Sequence, residues 1–242
     1  MQNKQPLILD AEHHAALFGC LARCTLSTLE EQGPAAVREA VILYGNQRGA
    51  RMAMRAKAAG LPLDMATYNA TREWQVVIPG AAHQHPAYKA DPTPAYYVSL
   101  SSSCPWHAAW EKHGMLEEGL YYCNDVDVAL LHGFNPELRL TVTKLLTRGD
   151  GYCEMHWQDD LDHKAAEELV QERAAAAGKV MGWDYHMCHL YCSFISVLSK
   201  YPQCRSILNA AREMFEGLYG AGALDALTPW MTCNFASLPK EG

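Results

Sequence analysis

The sequence has no apolar run long enough to cross a bilayer, and its longest, Leu190 to Leu198, is interrupted by serines. Its first residues lack the basic segment and apolar stretch of a secretory signal, so we expect a cytoplasmic protein. A strong positive charge is also missing: 20 basic and 27 acidic residues give a net charge of −7. This balance argues against a nucleic-acid partner or binding to an anionic membrane, because both need a concentrated basic surface.

The nine cysteines include no Cys-x-x-Cys pair, so the spacing of zinc ribbons and of thioredoxins is missing. An odd number of cysteines without an export signal predicts free thiols. Internal repeats, charge blocks and flexible linkers are missing as well. With 49% hydrophobic and 19% charged residues, a chain of 242 residues can bury a substantial core. We therefore expect one domain over residues 1–242.

Helices are predicted at both ends of the chain, around a small antiparallel sheet. Apolar residues at helical spacing predict helices within 10–75 and again within 163–220. Residues 95–158 combine short helices with alternating strands, and Gly149-Asp150-Gly151 predicts a turn that joins two of these strands as a hairpin. We expect an α+β fold with about three to five strands. The proline-rich residues 79–94 predict a long loop, which in many enzymes binds or covers substrate.

Reactive side chains concentrate in the middle of the sequence. Cys104 directly precedes a predicted helix, where the helix dipole lowers a thiol pKa. Cys123 and Asp127 are four residues apart and share one face of the next helix. Cys153 follows the turn, and strand alternation places it on the same face as Trp157. Taken singly, each feature is ordinary, because most buried cysteines fill the core and most aspartates on helices are solvated.

The order of these features is more specific than any one of them. The chain carries, in sequence, Cys104-Pro105, Cys123 with Asp127, Gly133-Phe134-Asn135-Pro136 and Gly149-Asp150-x-x-Cys153-Glu154. This set resembles the L-2-amino-thiazoline-4-carboxylic acid hydrolase family. The resemblance implies that water adds to the amidine-like carbon of a five-membered ring. Ring cleavage then releases an N-carbamoyl amino acid, which is N-carbamoyl-L-cysteine for the thiazoline.

For this hydrolysis we first consider covalent catalysis without a cofactor. One thiol among Cys104, Cys123 and Cys153 attacks the ring, and Asp127 moves or orients the proton. Helical spacing favours Cys123, because it places Asp127 beside this thiol. We expect a small heterocyclic substrate to contact six further residues, namely Arg48, Trp106, His107, Asn135, His156 and His186.

Two alternatives remain open from the sequence. The same three thiols with Asp127 form a mixed zinc site that activates water, in which case the enzyme is a zinc hydrolase. The second alternative is a sensor. The hairpin and the helix before it also resemble small-molecule-binding domains of the vinyl-reductase type, and such a sensor binds a ring compound without consuming it. Assembly into a homo-oligomer is compatible with each of these hypotheses.

Two further helical patterns have more than one interpretation. Arg48, Arg51 and Arg55 share one side of a predicted helix, which is typical of a solvated face and, alternatively, of a clamp for a carboxylate. A later helix carries a cluster of four potential ligands, namely His186, Cys188, His189 and Cys192. Either His189 with Cys192 or Cys188 with Cys192 faces a common point, but one helix does not present all four residues to one ion. We interpret this helix as a cysteine-rich part of the core.

Overall fold

A computed structural model describes residues 7–74, 96–158 and 163–239. The proline-rich loop predicted at 79–94 lies outside these residues. The helices are α1 (Ala11–Leu29), α2 (Gly33–Ala58), α3 (Met65–Ala70), α4 (Pro105–Lys112), α5 (Leu116–Phe134), α6 (His163–Ala177), α7 (Trp183–Leu198) and α8 (Cys204–Tyr219). The strands are β1 (Tyr96–Ser101), β2 (Leu140–Lys144) and β3 (Cys153–Gln158), and short 3₁₀ helices occupy Glu30–Gln32, Leu146–Arg148 and Asp225–Trp230. The predicted α+β class is confirmed.

The three strands form one antiparallel sheet in the order β1-β3-β2. Met155 of the central strand lies opposite Ser99 of β1 and opposite Val142 of β2. The predicted hairpin between β2 and β3 is confirmed. Its turn is fixed by Asp150, whose side chain accepts a hydrogen bond of 2.8 Å from the Leu145 N–H. Three strands in the described part of the chain agree with the lower end of the predicted number.

Helix starts follow local sequence signals. The Asp10 carboxylate accepts a hydrogen bond from the His13 N–H at 3.1 Å and caps α1. In the same way Asp64 accepts from the Thr67 N–H at 2.9 Å and begins α3. Proline stands in the first turn of both α2 and α4, where its missing N–H costs no hydrogen bond.

Helices α2 and α5 cross at close range because glycines line their contact. A Cβ atom at Gly49 would overlap the carbonyl oxygen of Leu130, and one at Gly45 would lie 2.8 Å from the Ala129 Cβ. Gly133 of α5 is similarly placed against the backbone of α2. This close approach lets the two helices contribute to one cavity wall.

Apolar side chains form two clusters. The larger joins α1, α2, α4, α5, α7 and α8, and the smaller lies between α2, α3, α5 and the sheet, with Met52, Tyr68 and Trp157 among its members. The smaller cluster borders the cavity described below. In the described residues, no helix has both the length and the apolar character needed to span a bilayer.

Candidate active site

A polar cavity of about 240 Å³ opens between α2, α3, α5 and the sheet. That volume corresponds to about eight water molecules at roughly 30 Å³ each, which suits a small ring compound. It is lined by Arg48, Met52, Tyr68, Arg72, Trp74, Ser99, Asp127, Leu130, Met155 and Trp157. Two of these residues, Arg48 and Asp127, were predicted from the sequence as site residues.

Arg48 lines the cavity with a guanidinium that has few partners. The residue is 1% exposed, and its guanidinium carbon lies 3.3 Å from the centroid of the Trp74 ring. Its Nε is 3.7 Å from the Glu73 carboxylate, beyond hydrogen-bond distance, and Nε and Nη1 have no hydrogen-bond partner. A buried charged group with unpaired donors is costly, so Arg48 is well placed to bind an anion.

Glu73 is the acceptor around which the arginines gather. Arg51 binds it through two hydrogen bonds of 2.9 and 2.7 Å, and Arg55 adds one of 3.1 Å. Burial acts to raise the pKa of Glu73, but the Arg51 charge and hydrogen bonds, with Arg48 and Arg55, lower it on balance. The interpretation of these arginines as a solvated face is therefore wrong. They form a carboxylate clamp whose carboxylate comes from the chain itself.

The clamp carries more positive than negative charge, since three guanidinium groups face one carboxylate. Histidines packed around it do not change this balance, because they are neutral. Burial, with the Arg48 charge among the other causes, holds the pKa of His14, His186 and His189 well below the ordinary value. The excess charge makes this end of the cavity suited to an anionic group.

Asp127 contributes a carboxyl group to the same cavity from α5. Burial raises its pKa, against the opposing charges of Arg72 and Arg48. A carboxylate whose pKa is raised is a stronger base than an ordinary aspartate. The cavity therefore combines a cationic group with a potential general base.

The three predicted catalytic thiols lie close to Asp127 but are not part of the cavity lining. Burial raises the pKa of Cys104 to about 11, although the N–H groups of His107 and Trp106 act to lower it. The expected lowering by the helix dipole is therefore wrong in sign, because burial outweighs it. Burial likewise raises the pKa of Cys123 and of Cys153, and the proximity of Asp127 adds to both shifts. All three thiols are protonated at neutral pH.

Two of the predicted substrate-binding residues lie in the aromatic wall behind Trp74. The Trp106 Nε1–H donates to His14 Nδ1 at 3.0 Å, and its ring centroid lies 5.4 Å from that of Trp74. His186 is bonded through Nε2 to the Glu73 carbonyl oxygen at 3.2 Å, whereas its buried Nδ1 has no partner. Both residues thus support Trp74 and the clamp.

The other predicted binding residues are placed away from the cavity lining. Asn135 donates to the Leu63 carbonyl at 2.7 Å and accepts from the Glu137 N–H at 3.0 Å, so both ends of its amide hold the chain after α5. His156 pairs with Glu154 at 2.7 Å, on the side of β3 opposite to the cavity-lining Met155 and Trp157. His107 has a buried Nδ1 without a partner.

Several lining residues were not predicted from the sequence. Met155 could have been found by strand alternation, because it shares a face with Trp157. The Trp157 Nε1–H donates to the Ser99 hydroxyl at 3.0 Å and fixes this wall. Arg72 and Trp74 follow the short helix α3, and only the Asp64 cap indicates in sequence where that helix begins.

Potential metal ligands are not grouped around one point in the residues that the structure describes. Across residues 7–74, 96–158 and 163–239, no three His, Cys, Asp or Glu side chains are grouped so that they could hold a metal ion. The mixed zinc site of the alternative hypothesis needs Cys104, Cys123, Cys153 and Asp127, all of which are described. Their arrangement does not fit such a site.

Fold and cavity together define an α+β protein with a small polar pocket that contains a cationic and an acidic side chain. The model of one hydrolase family, L-2-amino-thiazoline-4-carboxylic acid hydrolase, matches residues 10–157, from α1 through β3. Because this is more than half of the chain, the protein belongs to that family. No curated protein and no solved structure matches the chain.

Proposed function

We propose that the chain hydrolyses a small five-membered cyclic amidine that bears a carboxylate, such as 2-aminothiazoline-4-carboxylate, and releases an N-carbamoyl amino acid. The family supports a hydrolase. One observation supports the finer proposal: the Arg48 guanidinium and the Asp127 carboxyl group face the same cavity.

Arg48 binds the substrate carboxylate in this proposal. Its Nε and Nη1 carry N–H groups without a partner, and each can donate a charge-assisted hydrogen bond to a carboxylate oxygen. The net positive charge of the clamp further attracts the substrate carboxylate. Tyr68 and Trp157 supply aromatic walls for a planar ring. The carboxylate at one end then orients the ring, and its amidine carbon lies toward Asp127.

Asp127 acts as the proton acceptor. Water attacks the ring carbon of the protonated amidine, and Asp127 takes one proton as the carbon–oxygen bond forms. The carbon–sulfur bond then breaks, and Asp127 returns that proton to the departing sulfur. The carbonyl group forms as the remaining hydroxyl proton passes to solvent. Both nitrogen atoms stay on the carbon, which gives the N-carbamoyl product.

The covalent route stays a prediction of the sequence. It requires Asp127 to remove a thiol proton first, because burial keeps the three neighbouring thiols protonated. Direct attack by water needs no such step and uses only groups that line the cavity. We therefore propose the direct route.

Turnover of two substrates tests this function. We expect hydrolysis of 2-aminothiazoline-4-carboxylate and much weaker hydrolysis of 2-aminothiazoline, which lacks the carboxylate. A charge-assisted contact contributes roughly 1.5–3 kcal/mol, so Arg48→Gln should reduce the preference about 10- to 150-fold. Arg38→Gln, which alters an exposed pair with Asp125, is the matched control. Binding of the ring without its consumption would instead identify a sensor and refute the proposal.

A further inference from the structure

A group of sulfur atoms lies where α7 meets the C-terminal segment, apart from the cavity. Cys188 and Cys192 stand one turn apart on α7, and their Sγ atoms are 4.0 Å from each other. The Met231 Sδ lies 3.6 Å from the Cys188 Sγ. No step of the proposed hydrolysis uses these side chains.

The two separations from the Cys188 Sγ match what one metal ion requires. Metal–thiolate bonds of about 2.3 Å place three sulfurs around a planar three-coordinate ion roughly 4.0 Å apart. Two of the three separations, Cys188 to Cys192 at 4.0 Å and Cys188 to Met231 at 3.6 Å, are close to this value. Two thiols and a thioether are one ligand short of the four protein ligands of a structural zinc site, whereas soft thiolate and thioether ligands select Cu(I).

The sulfurs are also supported and accessible. The Trp230 Nε1–H donates to the Asp184 carboxylate at 2.7 Å, which fixes the segment carrying Met231 against the start of α7. Met231 is 41% exposed and Cys192 is half-buried, whereas Cys188 is buried. An ion can therefore enter from solvent and reach ligands on well-packed elements.

We propose that Cys188, Cys192 and Met231 bind one Cu(I) ion in a three-coordinate sulfur site. Binding converts both thiols to thiolates and releases two protons, so the affinity rises with pH. The thioether coordinates through its lone pair and releases no proton. No oxidant or reductant takes part, because copper stays in its reduced state.

Anaerobic competition with the Cu(I) chelator bathocuproine disulfonate tests this site on the full chain. We expect the wild type to retain one equivalent of Cu(I). Changes beyond the ligands already weaken metal sites 10- to 100-fold, so Cys188→Ser and Cys192→Ser should lower the affinity by about 100-fold or more. Met231→Leu, at an exposed position, should lower it about tenfold without affecting folding.

The chain offers a matched control in Cys20 and Cys24, which have the same spacing on α1 but are buried in the core. Cys24→Ser should bind Cu(I) like the wild type. Cu(I) should also raise the thermal unfolding temperature of the wild type, and less so that of Met231→Leu. Complete loss of copper from the wild type to the chelator, or equal weakening in Cys24→Ser and Cys188→Ser, would overturn the proposal.

Discussion

Replacement of Glu73 by glutamine removes the carboxylate at which three guanidinium groups meet. Glutamine keeps the shape of the side chain but presents an NH₂ group to arginines that have only donors. Glu73 and Arg51 are both 0% exposed, so water cannot take the place of the lost oxygen. Loss of one partner from a buried ion pair costs about 3–5 kcal/mol, and here three cations lose their partner. We expect at least this loss in the free energy of unfolding.

Urea denaturation followed by circular dichroism measures this loss, and thermal unfolding gives a second readout. For a chain of this length each kcal/mol shifts the midpoint roughly 2–4 °C, so Glu73→Gln should unfold about 6–20 °C below the wild type. Glu39→Gln is the matched control, because Glu39 and its partner Lys200 are about half exposed. Such a pair contributes about 1 kcal/mol or less. A loss below 1 kcal/mol in Glu73→Gln would refute the clamp.

The same variant has a pH signature. Folding lowers the pKa of Glu73. Its contribution to the free energy of unfolding is therefore fully present above the pKa of about 4.3 in the unfolded chain, and it is lost as pH falls through the pKa in the folded chain. The difference in stability between wild type and Glu73→Gln should therefore shrink below about pH 4. A difference that stays constant down to pH 3 would contradict the assigned charge.

Three further predictions follow from buried groups. His14, His186 and His189, whose pKa values are lowered by burial, take up protons on unfolding below about pH 6.5. The free energy of unfolding, measured in urea, should therefore fall by up to about 4 kcal/mol between pH 7.5 and 5.5. A loss under about 1 kcal/mol would contradict their burial. Gly49→Ala should destabilise the chain by about 1–3 kcal/mol or more because the methyl group meets Leu130, and an unchanged melting temperature would contradict the helix crossing. Cys104, whose pKa is about 11, should react with iodoacetamide at pH 8 at least about tenfold more slowly in the folded chain than in urea. Peptide mapping measures the two rates, and equal rates would refute the burial of this thiol.

Local signals were sufficient to predict most elements. The predicted helix that carries Cys123 and Asp127 is observed as Leu116–Phe134, and the glycine-rich turn joins two antiparallel strands as expected. Each of these features depends on residues close in sequence. Spacing also placed Cys123 and Asp127 on one face of α5, and their proximity is observed.

Tertiary contacts explain what the sequence did not reveal. Arginines at steps of three and four are typical of a solvated helix, and only the position of Glu73, beyond the end of that helix, converts them into a buried clamp. The thiol of Cys104 lies at a helix start, as predicted, but its burial depends on packing that helical spacing does not contain. Likewise, the cavity wall formed by Arg72 and Trp74 follows a short helix with little periodicity.

Asp127→Asn tests the central claim most directly, because asparagine keeps the shape of the side chain but cannot accept the proton from water. We expect kcat for 2-aminothiazoline-4-carboxylate to fall by about 10²- to 10⁴-fold, while binding of the substrate, measured by calorimetry, persists through Arg48. Asp125→Asn is the control, because Asp125 pairs with the exposed Arg38 at 2.9 Å; its kcat should match the wild type. Near-normal turnover by Asp127→Asn would contradict the account.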